Sequence, residues 1–303
     1  MDWFLQQSIN GLALGAIYAL IALGYTMVYG VLRFINFAHS DVLMLGAFAA
    51  FYLTPAIAGM LGPQTIATAL VVIILSAAIC ALIGVTIEFL AYRPLRKRPR
   101  LTVLITAIGV SLFIEFTGQH EKVFGAATKA FPKLLPSRDL TLGALHFSSN
   151  DIVVLVLTAL LLVVLWFIVQ RTKLGMAMRA VAFNEQAAAL MGVNVNAIIS
   201  FTFALGSALA AVAGIFYAMR APGIEPLMGI QPGLRAFIAA VLGGIGNLPG
   251  AALGGILLGL LETFFGGMPG LSNYRDGIAF AILILILLFR PAGLLGKVQP
   301  EKV

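Results

Sequence analysis

Long apolar blocks alternate with short polar breaks along the whole chain. The blocks fall at about residues 8–30, 42–60, 66–92, 101–117, 151–170, 195–219, 232–246, 248–265 and 274–290. Segments such as DIVVLVLTALLLVVLWFIV (151–169) and GIAFAILILILLF (277–289) meet or approach the ~20 apolar residues that take a helix across a ~30 Å hydrocarbon core. Alternating ten-residue segments, the mark of a membrane barrel, are not seen. The pattern predicts an all-α polytopic membrane protein, one domain over residues 1–303 with about eight or nine transmembrane or re-entrant helices. No basic segment precedes the first block, which therefore reads as a retained span.

Two polar breaks interrupt the pattern at informative places. FINFAHSD (34–41) brings Asn36, His39, Ser40 and Asp41 to the start of the second block, where polar groups are expensive in lipid. One account is a helix start with Asn36 or Ser40 as N-cap and Asp41 in the first turn. The other is a broken span whose free N–H groups favour a substrate carboxylate, which puts Asn36, His39 and Ser40 on a substrate path. His39 has no second ligand at helical spacing and makes a poor metal site. LGGIGNLPGA (242–251) reads as a tight turn or broken helix. Irregular backbone at membrane depth is tolerated only against protein or a water-filled cavity, which adds Gly243, Gly244 and Asn247 to the path candidates.

Pairs of glycines four apart (Gly11 and Gly15, Gly250 and Gly254, Gly255 and Gly259) permit close helix contact, expected within one subunit. Three acids lie in or near the blocks. Glu88 and Glu115 sit within a turn or two of block ends, where exposure would relieve them, which leaves Glu262 as the candidate for proton coupling.

Composition and charge sharpen this. The chain is 61% hydrophobic and 10% charged, far from the ~25% charged residues of ordinary globular domains. The isoelectric point near 9.8 does not indicate nucleic acid, because the basic residues sit between spans, where they set orientation. Twelve of the 19 fall in four connections: Arg33, residues 93–100, residues 171–179, and the tail with Arg290, Lys297 and Lys302. The positive-inside rule makes these cytoplasmic. The N-terminus and residues 118–150 then lie outside, where Lys122, Lys129, Lys133, Arg138, Arg220, Arg235 and Arg275 give a basic face, either steering an acidic partner or simply solvated. Cys80 is alone, and no CxxC or HExxH occurs, so disulfide, zinc and redox chemistry have no footing.

One cytoplasmic connection stands apart. RAVAFNEQAAALMGVNV (179–195) has the charge, alanines and closing glycine of a short soluble helix. Phe183, Ala187, Leu190 and Met191 form an apolar stripe, and Gly192 supplies the stop. An interfacial helix resting on headgroups usually carries many Lys or Arg on its polar face. This one carries alanines and an acid, which suit a protein groove.

EQAAALMGVN resembles the cytoplasmic EAA loop of ABC importer permeases through Glu185, Ala187, Ala188 and Gly192, with Gln186 interrupting the triplet. The resemblance extends through NGLALGAIYALIALGYTMVYG, INFAHSDVLMLGAF, AYRPLR, AFIAAVLGGIGNLPGAALGG and RPAGLLG, and matches least between residues 119 and 149. Together these look like the LivH-type permease of high-affinity branched-chain amino acid uptake. The resemblance implies a multi-pass protein of the bacterial plasma (inner) membrane, with a coupling helix at about 176–192. It implies a homologous LivM-type permease, two ABC ATPase subunits and an extracytoplasmic substrate-binding protein as partners. No Walker GxxxxGK[ST] motif occurs, so ATP and Mg are expected on the partners and no cofactor on this chain. Urea, amides or other amino acids are alternative substrates, and a proton-coupled carrier using Glu262 is the alternative transport class. An intramembrane enzyme has neither a metal motif nor an evident nucleophile and base in its favour.

Overall fold

The computed structural model describes residues 2–96, 98–142 and 145–296. Lys97, Lys297 and Lys302 of the charge count lie outside the described residues. The helices run α1 (Asp2–Leu32), α2 (His39–Leu61), α3 (Ile66–Ile87), α4 (Arg100–Gln119), α5 (Ser149–Arg171), α6 (Lys173–Phe183), α7 (Glu185–Leu190), α8 (Val195–Arg220), α9 (Ile230–Gly243), α10 (Leu248–Gly266) and α11 (Arg275–Phe289). All nine apolar blocks become helices. Among the described residues seven are long and apolar enough to cross a membrane, and α9 and α11 are shorter. Two small antiparallel pairs complete the chain, β1 (Lys129–Ala130) with β4 (Gly223–Ile224), and β2 (Asp139–Leu142) with β3 (Leu145–Ser148).

The centre of the molecule is α1, buried almost continuously from Gly11 to Val28. Its glycines face those of α10 so closely that a Cβ on Gly259 would lie 2.3 Å from the Gly15 Cα, and one on Gly15 2.7 Å from the Ile256 Cα. Only hydrogen side chains allow this backbone approach, and in lipid such packing is what holds helices together. The glycine pairs therefore serve contacts within the subunit, as expected. By contrast α3, α4 and α5 bury little of their apolar surface within the chain.

The second helix does not begin level with the end of the first. Arg33 ends α1 with φ 57°, and the chain then climbs back until the His39 ring packs 4.7 Å from Tyr25. Tyr25 lies seven residues before Leu32, so α2 starts roughly 10 Å short of the C-terminal end of α1 at the usual 1.5 Å per residue. At its other end α3 changes pitch: Glu88–Tyr92 is a π-helical turn, closed by the Arg93 N–H donating to the Glu88 carbonyl. Pro94, without an N–H, ends the run.

The orientation has a direct test. A cysteine at Arg98, in a chain whose buried Cys80 is replaced by Ser, is expected to react with an impermeant maleimide only after cells are opened. Labelling of intact cells overturns the topology.

Candidate functional site

The expected coupling helix at 176–192 is two helices. Asn184, with extended backbone (φ −155°, ψ 108°), ends α6, and its side-chain oxygen accepts from the Ala187 N–H to start α7. Asparagine favours this because its short side chain competes for nearby backbone groups, so it caps better than it continues. The far end is a Schellman stop: Val193 N–H donates to the Ala188 carbonyl and Gly192 N–H to that of Ala189, with Gly192 at φ 85°. Phe183, Leu190 and Met191 are 84%, 89% and 85% exposed, and Glu185, Ala187 and Ala189 also face outward. Ala188 does not, at 5%, and is part of the seat beneath the helix.

That seat is polar and closely bonded. Glu88 is fully buried, contrary to the exposure expected near a span end. Its Oε1 accepts from Arg93 Nε (3.2 Å) and Arg96 Nη2 (2.8 Å), and its Oε2 from Arg93 Nη2 and Ser200 Oγ (both 2.8 Å). A buried carboxylate held by two guanidinium groups and a hydroxyl has its charge and lone pairs satisfied. Arg96 reaches further, through Nη1 to Asn196 Oδ1 at 2.9 Å and to Glu185 Oε1 at 3.7 Å. One side chain thus joins the π-helical turn, the first turn of α8 and α7.

At the polar turn, neither proposed cap is used. The residue before α2 is Ala38, with no side-chain cap, and Ser40 Oγ donates to the Phe37 carbonyl. Asn36 Oδ1 instead accepts from the Tyr92 hydroxyl at 2.5 Å, among the rings of Phe34 and Phe203. His39 Nε2 and Asp41 Oδ2 are buried without a hydrogen-bond partner. Asp41 lies beside Ser111 and Glu115 of α4, and Glu115, at 9% exposure, is also not relieved by solvent. Gly229 and Gly233 press on Ser40 from the other side, and a Cβ on Gly233 would come 2.3 Å from the Ser40 Cβ.

Gly243, Gly244 and Asn247 form a separate place. Gly244, at φ 106°, packs against Gly296 and Ala292, Asn247 Nδ2 donates to the Leu295 carbonyl at 2.6 Å, and Asn247 Oδ1 caps α10. The six path candidates are thus divided between two sites, and a narrow apolar cavity lined by Tyr25, Ile35, Phe237 and Ile245 borders both.

Glu262, the residue weighed for proton coupling, is engaged on both oxygens. Its Oε1 is 2.8 Å from Arg235 Nη1, and its Oε2 accepts from the Tyr18 hydroxyl at 2.8 Å. This also corrects Arg235, which is half-buried and committed to that network rather than part of an outer basic face. Arg220 is paired with Asp151 at 3.1 Å, and Lys129 donates to the Tyr52 hydroxyl at 3.1 Å.

Among these groups Arg96, Tyr92 and Arg235 were not singled out as site residues from the sequence. A signal existed for Arg96: Glu88 in an apolar run requires a cation, and RPLR follows within eight residues.

A sequence model of the family described as branched-chain amino acid transport system permease component matches residues 7–287. The chain belongs to this family. As a member it resembles the high-affinity branched-chain amino acid transport system permease protein BraD of Pseudomonas aeruginosa, 43% identical over 99% of this chain and 98% of that protein. It likewise resembles the LivH permease proteins of the same kind of system in Salmonella typhimurium and Escherichia coli, each 39% identical over 99% of this chain and 98% of the relative.

Proposed function

We propose that this permease is the membrane-spanning subunit of an ATP-driven importer of branched-chain amino acids (Leu, Ile, Val) in a bacterial inner membrane. It pairs with a homologous permease, two ATPase subunits that bind ATP and Mg, and an extracytoplasmic binding protein. α7 docks in an ATPase groove through Leu190, Met191 and the small Ala187. Closure of the ATPase pair moves that groove, and packed helices carry the movement to the gates as bodies that switch between discrete arrangements.

The observation that carries this is the mounting of α7. A helix that merely floats on headgroups has no need of anchorage, whereas here Glu185 meets Arg96, which is fixed to buried Glu88. Reconstituted with its partners, the permease is expected to take up labelled leucine only with ATP and the binding protein present. Excess isoleucine or valine should compete, and urea or simple amides should not. Leucine uptake by the lone chain under a proton gradient overturns the assignment.

A further inference from the structure

The buried Glu88 cluster and the Tyr92–Asn36 bond lie at the two ends of one π-helical turn. At the cluster, Arg96 bridges Glu185 of α7, Asn196 of α8 and Glu88. At the other end, the Tyr92 hydroxyl grips Asn36, the polar residue of the re-entrant turn that leads to α2. Side-chain contacts thus run from Glu185 through Arg96 to Glu88 at one end and from Tyr92 to Asn36 at the other, and the backbone of the π-helical turn Glu88–Tyr92 joins the two; Glu88, Tyr92 and Asn36 are all buried. Single π-helical turns recur at functional sites.

We propose that Arg96 is a positioning residue that passes displacement of α7, through Glu88 and the π-helical turn, to Asn36 and the start of α2. This rests on the docking of α7 proposed above. Arg96 suits the part because its guanidinium offers several donors in a fixed plane and can hold three partners at once. A lysine at this position keeps the charge opposite Glu88 and cannot span Glu88, Asn196 and Glu185 together. Tyr92 reaches Asn36 by one hydroxyl, so a phenylalanine breaks the far end of the relay while keeping the ring between Phe34 and Phe203.

Both variants leave Glu88 paired with Arg93 and hydrogen-bonded by Ser200, so assembly should survive. The experiment is reconstitution of Arg96→Lys, Tyr92→Phe and the double variant with the ATPase subunits and binding protein. Three quantities are read: ATPase retained on purification, melting temperature, and hydrolysis with and without loaded binding protein. ATPase retention is expected at the parental level. Substrate-stimulated hydrolysis is expected to fall about 2- to 30-fold relative to unstimulated hydrolysis, the range seen when coupling paths are cut. Because the two residues lie in one relay, the double variant should lose no more than the worse single variant. Normal stimulation in both single variants with ATPase retained overturns the relay and leaves the docking assignment standing. A loss of stimulation that follows melting temperature, or that adds fully in the double variant, also overturns it. If instead ATPase retention proves insensitive to the exposed face of α7, the docking assignment fails, and the relay fails with it.

Discussion

Replacing Arg235 by alanine is expected to destabilise the permease by about 3–5 kcal/mol, the usual cost of leaving one member of a buried ion pair behind. Glu262 would then be left among α1, α9 and α10 without its cation, with the Tyr18 hydroxyl still donating to it. Inside a bilayer an unpaired carboxyl group has no bulk water to turn to. A triple variant, Tyr18→Phe with Arg235→Met and Glu262→Leu, removes the network as a unit and should recover most of the loss, since apolar replacements of a buried pair are often neutral. Melting of the detergent-solubilised protein, followed by size-exclusion chromatography, reads both. An Arg235→Ala protein as stable as the parent would show that the ion pair does not hold these helices. The same network bears on the transport class. Glu262→Gln should keep ATP-driven uptake, because its role is to be gripped by Arg235 and Tyr18, whereas a proton-coupled carrier would lose its coupling group.

The second large effect is at α7. Leu190→Asp is expected to abolish retention of the ATPase while leaving the permease folded. Leu190 touches little of its own chain, and surface substitutions usually change stability by no more than about 0.5 kcal/mol. An anchor residue of an interface is worth about 2 kcal/mol or more, roughly 30-fold in affinity. Gly192→Val should act through the backbone, since an added Cβ meets no atom within 4 Å but φ is 85°. Forcing a side chain into that region costs about 1–2 kcal/mol or more and unwinds the Schellman stop, displacing Leu190 and Met191. Ala188→Arg is the contrasting case: Ala188 belongs to the seat, so the arginine should lower the abundance of the permease itself before it affects docking. Co-purification of the ATPase, set against the melting temperature of each variant, separates these outcomes. Full retention and normal hydrolysis in Leu190→Asp would return α7 to a helix resting on lipid.

The positions of the spans were legible because they are apolar runs set off by polar breaks, and several of them start at a readable cap. Thr65, Ser148, Asn194 and Asn247 each cap the helix that follows. What the sequence did not reveal depends on partners distant in the chain. Glu88 looked relieved by its place near a block end, yet Ser200, 112 residues away, helps to bury it. Asn36 looked like a cap, yet its partner Tyr92 is 56 residues on. Arg235 looked like outer charge because Glu262 and Tyr18, the latter 217 residues away, are not visible to a local pattern. The break at Asn184 was the exception. It was local and readable as a cap, but the apolar stripe on both sides of it resembled one continuous helix.

The close fit of α1 to α10 has a consequence for how the protein is made. Tyr18 and Glu262 are 244 residues apart, so the glycine face of the first helix leaves the ribosome long before its match exists. At about 5–20 residues per second, α1 waits some 12–50 s in the membrane with its contact surface unfilled. During that interval lipid or an insertion chaperone must cover the groove. A ribosome that stops before α10 releases a chain whose earliest helix has no place to settle, and such a chain should be a prompt substrate for membrane proteases.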